Sequence, residues 1–357
     1  KKKSEFSTNF SAWALEFFPK EYYNNFLILF LRICARFPYF GGRNEGGPVK
    51  MILTVCMSPS VDVTIELDSL NVGKVNIVKN KTLSFTGKAL NVAIGVSRLG
   101  ADAYATGFMY NENGAMFERA LDKEGVPFAF VWNSGRVREN YKCIDKRSML
   151  TEINDVGGQV ANEKLAELSH MIRNLSSRSD VTVISGGLPR GVDASYYREI
   201  FRSVDPKSLR IADTEGAKMF AALEAGIDLV KPNLDELEET LGREFRDKND
   251  MLAGCREILD RGAKIVLLSL GKDGAVITNG TKNYYCKSIN VAVNSTVGAG
   301  DGMVAAAAVM LQKGADLPDV LRAGVAAGTA TVTTFETISF TKNKYEEIFQ
   351  SLNVTEF

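Results

Sequence analysis

From Met51 onward, two hydrophobic periods alternate along the chain. The short apolar runs "ILTVCM", "DAYATGFMY", "VTVIS", "RIADT", "DLVKPN" and "KIVLLS" have the pattern of strands buried on both faces. Between them lie amphipathic stretches, among them "ALNVAIGVSRLG", "ENGAMFERALDKEG", "SYYREIFRSV", "AKMFAALEAG", "DELEETLG" and "DMLAGCREILDRG", several of them closed by the glycine expected of a helix stop. Such alternation predicts βαβ units, and hence an α/β fold with a mainly parallel central sheet between two layers of helices. Two segments break the rhythm, near residues 62–85 and 128–154, with polar alternation and no helix between the runs. They predict a small antiparallel sheet packed as a lid over the strand ends.

The first fifty residues have a different texture. "NNFLILFLRICARFPYF" is apolar and aromatic, but Arg32 and Arg36 interrupt it, leaving a run well short of the roughly 18–20 residues that cross a bilayer. It also lacks the layout of a signal peptide. "GGRNEGGPVK" reads as a joint, so residues 1–50 are expected to be an appendage without an assigned role and residues 51–357 the functional unit. With 43 basic and 43 acidic residues and no basic run beyond the opening Lys triplet, the chain shows no footprint for nucleic acid. No membrane partner is expected either, which leaves small molecules. The five cysteines show no CxxC spacing, which argues against a zinc site or a disulfide framework and for a reducing, cytoplasmic setting. His170, the only histidine, sits in the polar helical stretch "EKLAELSHMIRNL" and is read as a surface residue. General-base work therefore falls to a carboxylate, Lys or Tyr.

Open α/β sheets bind ligands beyond the carboxyl ends of their strands. Those junctions carry Asp62, "GGLPRG", "KPNLDE", "LGKDG" and "NSTVGAGD". In the last, Gly298, Ala299 and Gly300 make a small-residue turn feeding an alanine-rich helix, a local pattern that presents backbone N–H groups at the positive end of a helix dipole. Asp301 follows directly. A carboxylate beside developing negative charge suits removal of a proton from an attacking hydroxyl; a plain helix N-cap is the competing explanation.

From Met51 to about Phe340 the ordered motifs resemble the ribokinase-like PfkB family of sugar kinases, in particular the branch comprising 1-phosphofructokinase and tagatose-6-phosphate kinase. "MSPSVD" matches that branch's Asn-Pro-x-x-Asp turn with Ser58 for the Asn, and "FTGKALNVA" its Gly-Gly-Lys-Gly-x-Asn-x-Ala, with Thr86 and Ala89 replacing two glycines. "VRENYK" is similar to the lid pattern Thr-Arg-x-Asn-x-Lys, "SGGLPRG" to Ser-Gly-Ser-Leu-Pro-x-Gly with Gly187 for Ser, and "DTEG" to Asp-Thr-Ser-Gly. "KPNLDEL", "SLGKDGA" and "STVGAGDGMVA" complete the set, the last with Gly302 where the branch has Ser.

The resemblance implies a ribokinase-like three-layer α/β/α kinase domain over residues 51–357 that uses ATP and magnesium to phosphorylate a sugar phosphate. Fructose 1-phosphate, giving fructose 1,6-bisphosphate, is the first choice; tagatose 6-phosphate and fructose 6-phosphate are alternatives. It implies Asp301 as general base, with the N–H groups of Gly298, Ala299 and Gly300 holding charge on the transferring group. Asp62, Gly87 and Asn91 are implied on the sugar, and Lys88, Arg138 and Lys142 on its phosphate, where Arg can grip two oxygens at once. Solvated lid charges are the plainer account of each of those cations alone. Asn233, Ser269, Gly271 and Gly274 fall on the nucleotide side, and Glu236 beside the magnesium, although first-turn capping would also explain Glu236. Small residues of "RAGVAAGTATV" either line the adenine pocket or permit close helix packing. The exchanged glycines are expected to narrow the sugar pocket or alter its preference. A homodimer formed through the lid fits its exposed edges. A non-catalytic sugar-phosphate sensor on the same fold remains a second reading. A dinucleotide oxidoreductase does not, because "MSPSVD" supplies no G-x-G-x-x-G loop.

Overall fold

The structure is a computed structural model, and it describes residues 51–147, 149–334 and 338–357; the appendage expected over residues 1–50 lies outside them. In chain order the strands are β1 (Ile52–Cys56), β2 (Ser60–Leu67), β3 (Asn80–Thr86), β4 (Ala103–Tyr110), β5 (Phe128–Asn133), β6 (Arg138–Asp145), β7 (Leu150–Asn154), β8 (Val181–Ser185), β9 (Leu209–Asp213), β10 (Ile227–Val230), β11 (Ala263–Ser269), β12 (Ala275–Thr278), β13 (Asn283–Cys286) and β14 (Val354–Glu356). The helices are α1 (Lys88–Arg98), α2 (Ala115–Lys123), α3 (Asn162–Ser176), α4 (Tyr196–Arg202), α5 (Gly216–Leu223), α6 (Leu234–Leu241), α7 (Lys248–Asp260), α8 (Ala299–Gln312), α9 (Leu317–Val332) and α10 (Lys342–Ser351).

Ten strands form the central sheet in the order β14-β13-β12-β11-β10-β9-β8-β1-β4-β5. It is parallel from β5 through β11 and antiparallel over the last three strands. Every residue of β1, β4 and β8 is buried, as continuous apolar runs require when helices cover both faces of a parallel sheet. Eight of the described helices fall into two groups: α1, α8, α9 and α10 pack together, as do α3, α4, α5 and α6. This is the layered α/β architecture the hydrophobic pattern predicts.

β1 lies between β4 and β8, where the strand order reverses; at such a point open α/β sheets place the ligand crevice beyond the strand carboxyl ends, here those of β1, β8, β9 and β10. Helix α8 starts over that crevice. It approaches α1 and α9 closely because the contact residues are small: a Cβ at Gly95 of α1 would stand 2.7 Å from Ala305, and one at Gly302 would stand 2.7 Å from the Thr331 hydroxyl of α9. Close packing of α8 on α1 carries Asp301 to Asn91.

The second sheet, in the order β3-β2-β6-β7, is the lid. Both outer pairings are antiparallel and the central β2–β6 pairing is parallel. One lid boundary needs correcting: Phe128–Asn133 is not lid but β5, the edge strand of the central sheet, paired parallel to β4. Its partial exposure, natural at an edge, imitates the alternation of a lid strand.

Candidate active site

Asp301 occupies the first turn of α8 and is 6% exposed. The N-cap is Gly298, in the left-handed conformation at φ 84°, where a side chain would be strained. Asp301 therefore does not cap the helix; its Oδ2 instead accepts a 2.7 Å hydrogen bond from the Asn91 side-chain amide. Burial pushes its carboxyl up to about 6, helped by the neighbouring Asp213 charge and opposed by Asn91, Lys88 and Lys231. The first amides of a helix have no helical carbonyl to meet. Of those in this turn, the Ala299 N–H reaches back to the Thr296 carbonyl at 3.4 Å.

Beneath Asp301 lies a buried charge cluster. Asp213, the last residue of β9, is 1% exposed. Its Oδ2 accepts from the Ser185 hydroxyl at 2.7 Å and stands 3.5 Å from Lys88 Nζ, while Lys231 Nζ stands 3.2 Å from its Oδ1. Burial pushes the Asp213 carboxyl up, but Lys231, Lys88 and Ser185 together outweigh it and hold the group below its ordinary value. Lys88 at the start of α1 also lies 3.4 Å from Glu236 Oε1. The Asp213 charge, followed by those of Glu236 and Asp301, outweighs burial and raises the Lys88 ammonium pKa.

Asn233 and Glu236 form a reciprocal capping box at the start of α6. The Asn233 side chain accepts from the Glu236 N–H at 2.7 Å, and Glu236 Oε2 accepts from the Asn233 N–H at 2.8 Å. Capping and cleft duty thus coexist: Oε2 caps while Oε1 faces Lys88. Carboxylate and amide oxygens suit a hard cation such as magnesium, which keeps most of its ligands as water and phosphate. No group of three or more His, Cys, Asp or Glu able to cage a metal occurs among the described residues.

On the face of β2 opposite the core-packed Val61 and Val63, Asp62 accepts from Lys142 Nζ at 2.8 Å, from the Asn140 amide at 3.2 Å and from the Ser60 hydroxyl at 3.3 Å. Arg138 reaches the Asp155 carbonyl at 3.4 Å, and its Nε is buried without a hydrogen bond, as is Asn140 Oδ1. The two lysines assigned to a substrate phosphate are therefore engaged separately, Lys142 with Asp62 and Lys88 with Asp213 and Glu236. The glycine exchanges do not narrow the cleft directly: Thr86 turns its hydroxyl onto Ser60, and Ala89 is fully buried in the core. Gly87 cannot vary in the same way, since a Cβ there would lie 2.6 Å from Cys56 Sγ. Ser58 and Gly187 face each other, a Cβ at Gly187 falling 3.8 Å from that of Ser58.

Ser269 pairs with Asn233 as an isolated bridge, joining the two motifs expected on the nucleotide side. Gly271 opens onto free space, whereas a Cβ at Gly274 would strike the Cys286 carbonyl at 2.0 Å, so packing alone requires Gly274. Ala326 and Ala327 are fully buried and serve helix packing, and His170 is exposed as expected. Asp213, Lys231 and Ser185 stand in the matched motifs "DTEG", "KPNLDEL" and "SGGLPRG" but received no individual role from the sequence. The available signal was a charge placed directly at the end of a fully buried parallel strand, where it must find a partner.

A model of the pfkB family of carbohydrate kinases matches residues 56–344. A 1-phosphofructokinase of Vibrio cholerae is 31% identical over 260 residues, covering 72% of this chain and 81% of that protein. A tagatose-6-phosphate kinase of Staphylococcus epidermidis is 30% identical over 310 residues, covering 86% of this chain and all of the other. Among solved structures, phosphofructokinase-2 of Escherichia coli in complex with potassium superposes with a TM-score of 0.79 at 28% identity, covering 85% of this chain and 99% of that one. The buried carboxylate at the helix start, the lysine-rich floor and the small lid are thus carried on a matching sequence and a matching fold: the chain belongs to the pfkB family of carbohydrate kinases and is an ATP-dependent sugar kinase.

Proposed function

We propose that the protein, through residues 51–357, phosphorylates a hydroxyl of a sugar phosphate with ATP, fructose 1-phosphate being the first candidate acceptor, and that Asp301 is the general base. The observation that carries this reading is the buried Asp301 carboxylate in the first turn of α8, bonded to Asn91 and placed beside the amides of a left-handed glycine turn. Asp301 takes the proton of the acceptor hydroxyl as its oxygen forms a bond to the γ-phosphorus. The bond from that phosphorus to the β–γ bridging oxygen breaks, and ADP leaves with the electron pair. The amides of the Gly298–Gly300 turn and the Lys231 ammonium meet the charge on the transferring group, which is where phosphoryl transfer needs help. Lys88, expected on the substrate phosphate, is given this duty instead because it stands at Asp213 and Glu236, apart from Lys142. Asp62 and Asn91 orient the sugar hydroxyls, and Arg138 with Lys142 receives the phosphate already present.

Magnesium would be held by Glu236 and Asn233 through its water shell, and when bound it would neutralise charge on the nucleotide phosphates. Tagatose 6-phosphate is the second acceptor, favoured by the Staphylococcus epidermidis relative that matches along its whole length. The side chains Val72, Val75 and Ile77, 94%, 92% and 81% exposed on the β2–β3 connection, support a homodimer joined through the lid. The lack of a nucleic-acid footprint and of CxxC pairs supports a cytoplasmic setting.

Asp301→Asn tests the reading. Turnover should fall by about 10²–10⁴-fold, the usual worth of a general base, while ATP affinity measured by calorimetry stays within about twofold. A variant as active as the parent would remove Asp301 from the mechanism.

A further inference from the structure

The charge cluster below Asp301 contains one group with no part in the reaction just described. Asp213 is the most deeply buried carboxylate of the crevice, and it serves two ammonium groups at once, Lys231 at 3.2 Å and Lys88 at 3.5 Å. Those lysines arrive from separate elements, Lys88 from the start of α1 and Lys231 from the end of β10. Lys231 Nζ lies 3.3 Å from the position a Cβ would take on Gly300, directly against the Asp301 turn. Lys88 bridges to Glu236 on the nucleotide side.

The geometry at Asp213 is poor for pure stabilisation. Its Oδ1 is buried and, among the described residues, meets only the Lys231 ammonium, at 3.2 Å. Buried ion pairs seldom repay their desolvation. Among the same residues, Ser185 is the one uncharged group that bonds to the carboxylate, through Oδ2. The arrangement makes sense if the lysines must be kept in place without being used up.

Resting on the kinase reading above, we propose that Asp213 is a positioning residue: its carboxylate holds the ammonium groups of Lys88 and Lys231 at the floor of the cleft, against the transferring phosphoryl group and away from Asp301. Without the charge on Asp213, the remaining carboxylate that attracts both lysines is Asp301. Lys231 would shift toward it and Lys88 would be shared between it and Glu236, so the base would lose affinity for the proton. The charged groups acting on Asp301 are Lys88 from α1, Asp213 at the end of β9 and Lys231 after β10; Cys56 at the end of β1 feels the Asp301 charge in turn, and the α9 side chain facing the next residue, Gly302, is the uncharged Thr331. Two further facts point the same way: Asp213 raises the Asp301 carboxyl by direct repulsion, whereas Lys88 and Lys231 lower it.

The test is the pH dependence of kcat and kcat/KM for the wild-type protein, Asp213→Asn, Asp213→Glu and Asp301→Asn, with thermal midpoints measured alongside. Asp213→Asn should lower the plateau kcat at least about tenfold and move the acid limb down by about one pH unit, with KM for ATP changed less than kcat. Asp213→Glu keeps the charge and should return the acid limb to its wild-type position. Should Asp213→Asn not fold, Ser185→Ala supplies the second measurement, since freeing Oδ2 should shift the limb in the same direction by a smaller amount. An acid limb that stays put in Asp213→Asn or Ser185→Ala, with a lower thermal midpoint only, overturns the proposal and leaves Asp213 a structural ion. An Asp301→Asn protein with wild-type turnover would instead strike the base itself, and this inference would fall with it.

Discussion

Asp301 is held near the point of ionisation by opposing neighbours, and that balance has consequences for both rate and stability. With its carboxyl pushed up to about 6 by burial and by Asp213, kcat/KM should rise with pH through about 6 and fall about tenfold per unit below it. A profile flat from pH 5 to 8 would contradict the assignment. The same shift fixes the sign of a stability effect. A carboxyl whose folded value lies above the ordinary 3.8 favours the folded state in its protonated form, so this contribution is complete below about pH 4 and is lost as pH rises through about 6. Asp301→Asn should therefore unfold at a higher temperature than the wild type at pH 8. That gap should close as pH falls through the window from about 6 to 4. An unchanged or lower midpoint at pH 8 would show that ionised Asp301 is not a burden on the fold.

Among elements, the α8–α9 pair sets where the catalytic turn sits. Gly302 stands where the branch resembled in sequence has Ser, and a side chain there would run into Thr331 Oγ1 at 2.7 Å. Gly302→Ser should cost about 1–3 kcal/mol by overpacking, and Thr331→Ala should restore much of the loss. Additive effects in the double variant would show that the two positions do not share this contact. Elements of this kind were legible in the sequence to differing degrees. The parallel strands announced themselves because burial on both faces leaves no exposed and no charged position, as in "VTVIS" and "ILTVC". β5 did not, because an edge strand exposes part of each face and so looks like a lid strand. The turn at Gly298–Asp301 and the Asn233/Glu236 pair were readable as local motifs, each contained within four residues. The partnership of Lys88 with Glu236 spans 148 positions, and that of Asp213 with both lysines depends on which strands become neighbours. No periodicity encodes those contacts; the order of strands in the sheet does.

In the proposed reading, residues 51–357 bring the motifs assigned to the nucleotide and the sheet assigned to the sugar together around one carboxylate, Asp301. The lid contributes Asp62 already paired with Lys142, so under the proposed assignment a sugar phosphate would share or displace that pair. Arg138→Ala should accordingly raise KM for the phosphorylated sugar at least about tenfold, in line with loss of a charge-assisted contact, and leave KM for ATP nearly unchanged. Equal effects on both substrates would separate Arg138 from the acceptor phosphate. Exposed apolar side chains on the β2–β3 connection predict a dimer by sedimentation, and Val75→Asp with Ile77→Asp should yield monomers. A wild-type protein that sediments as a monomer at assay concentrations would exclude that interface.

The most direct test of the account is ADP release with ATP and magnesium against fructose 1-phosphate, fructose 6-phosphate, tagatose 6-phosphate and free fructose, in the wild-type and Asp301→Asn proteins. The account predicts turnover on a phosphorylated ketose by the wild type and its collapse in the variant; turnover on free fructose alone, or equal rates in the two proteins, would contradict it.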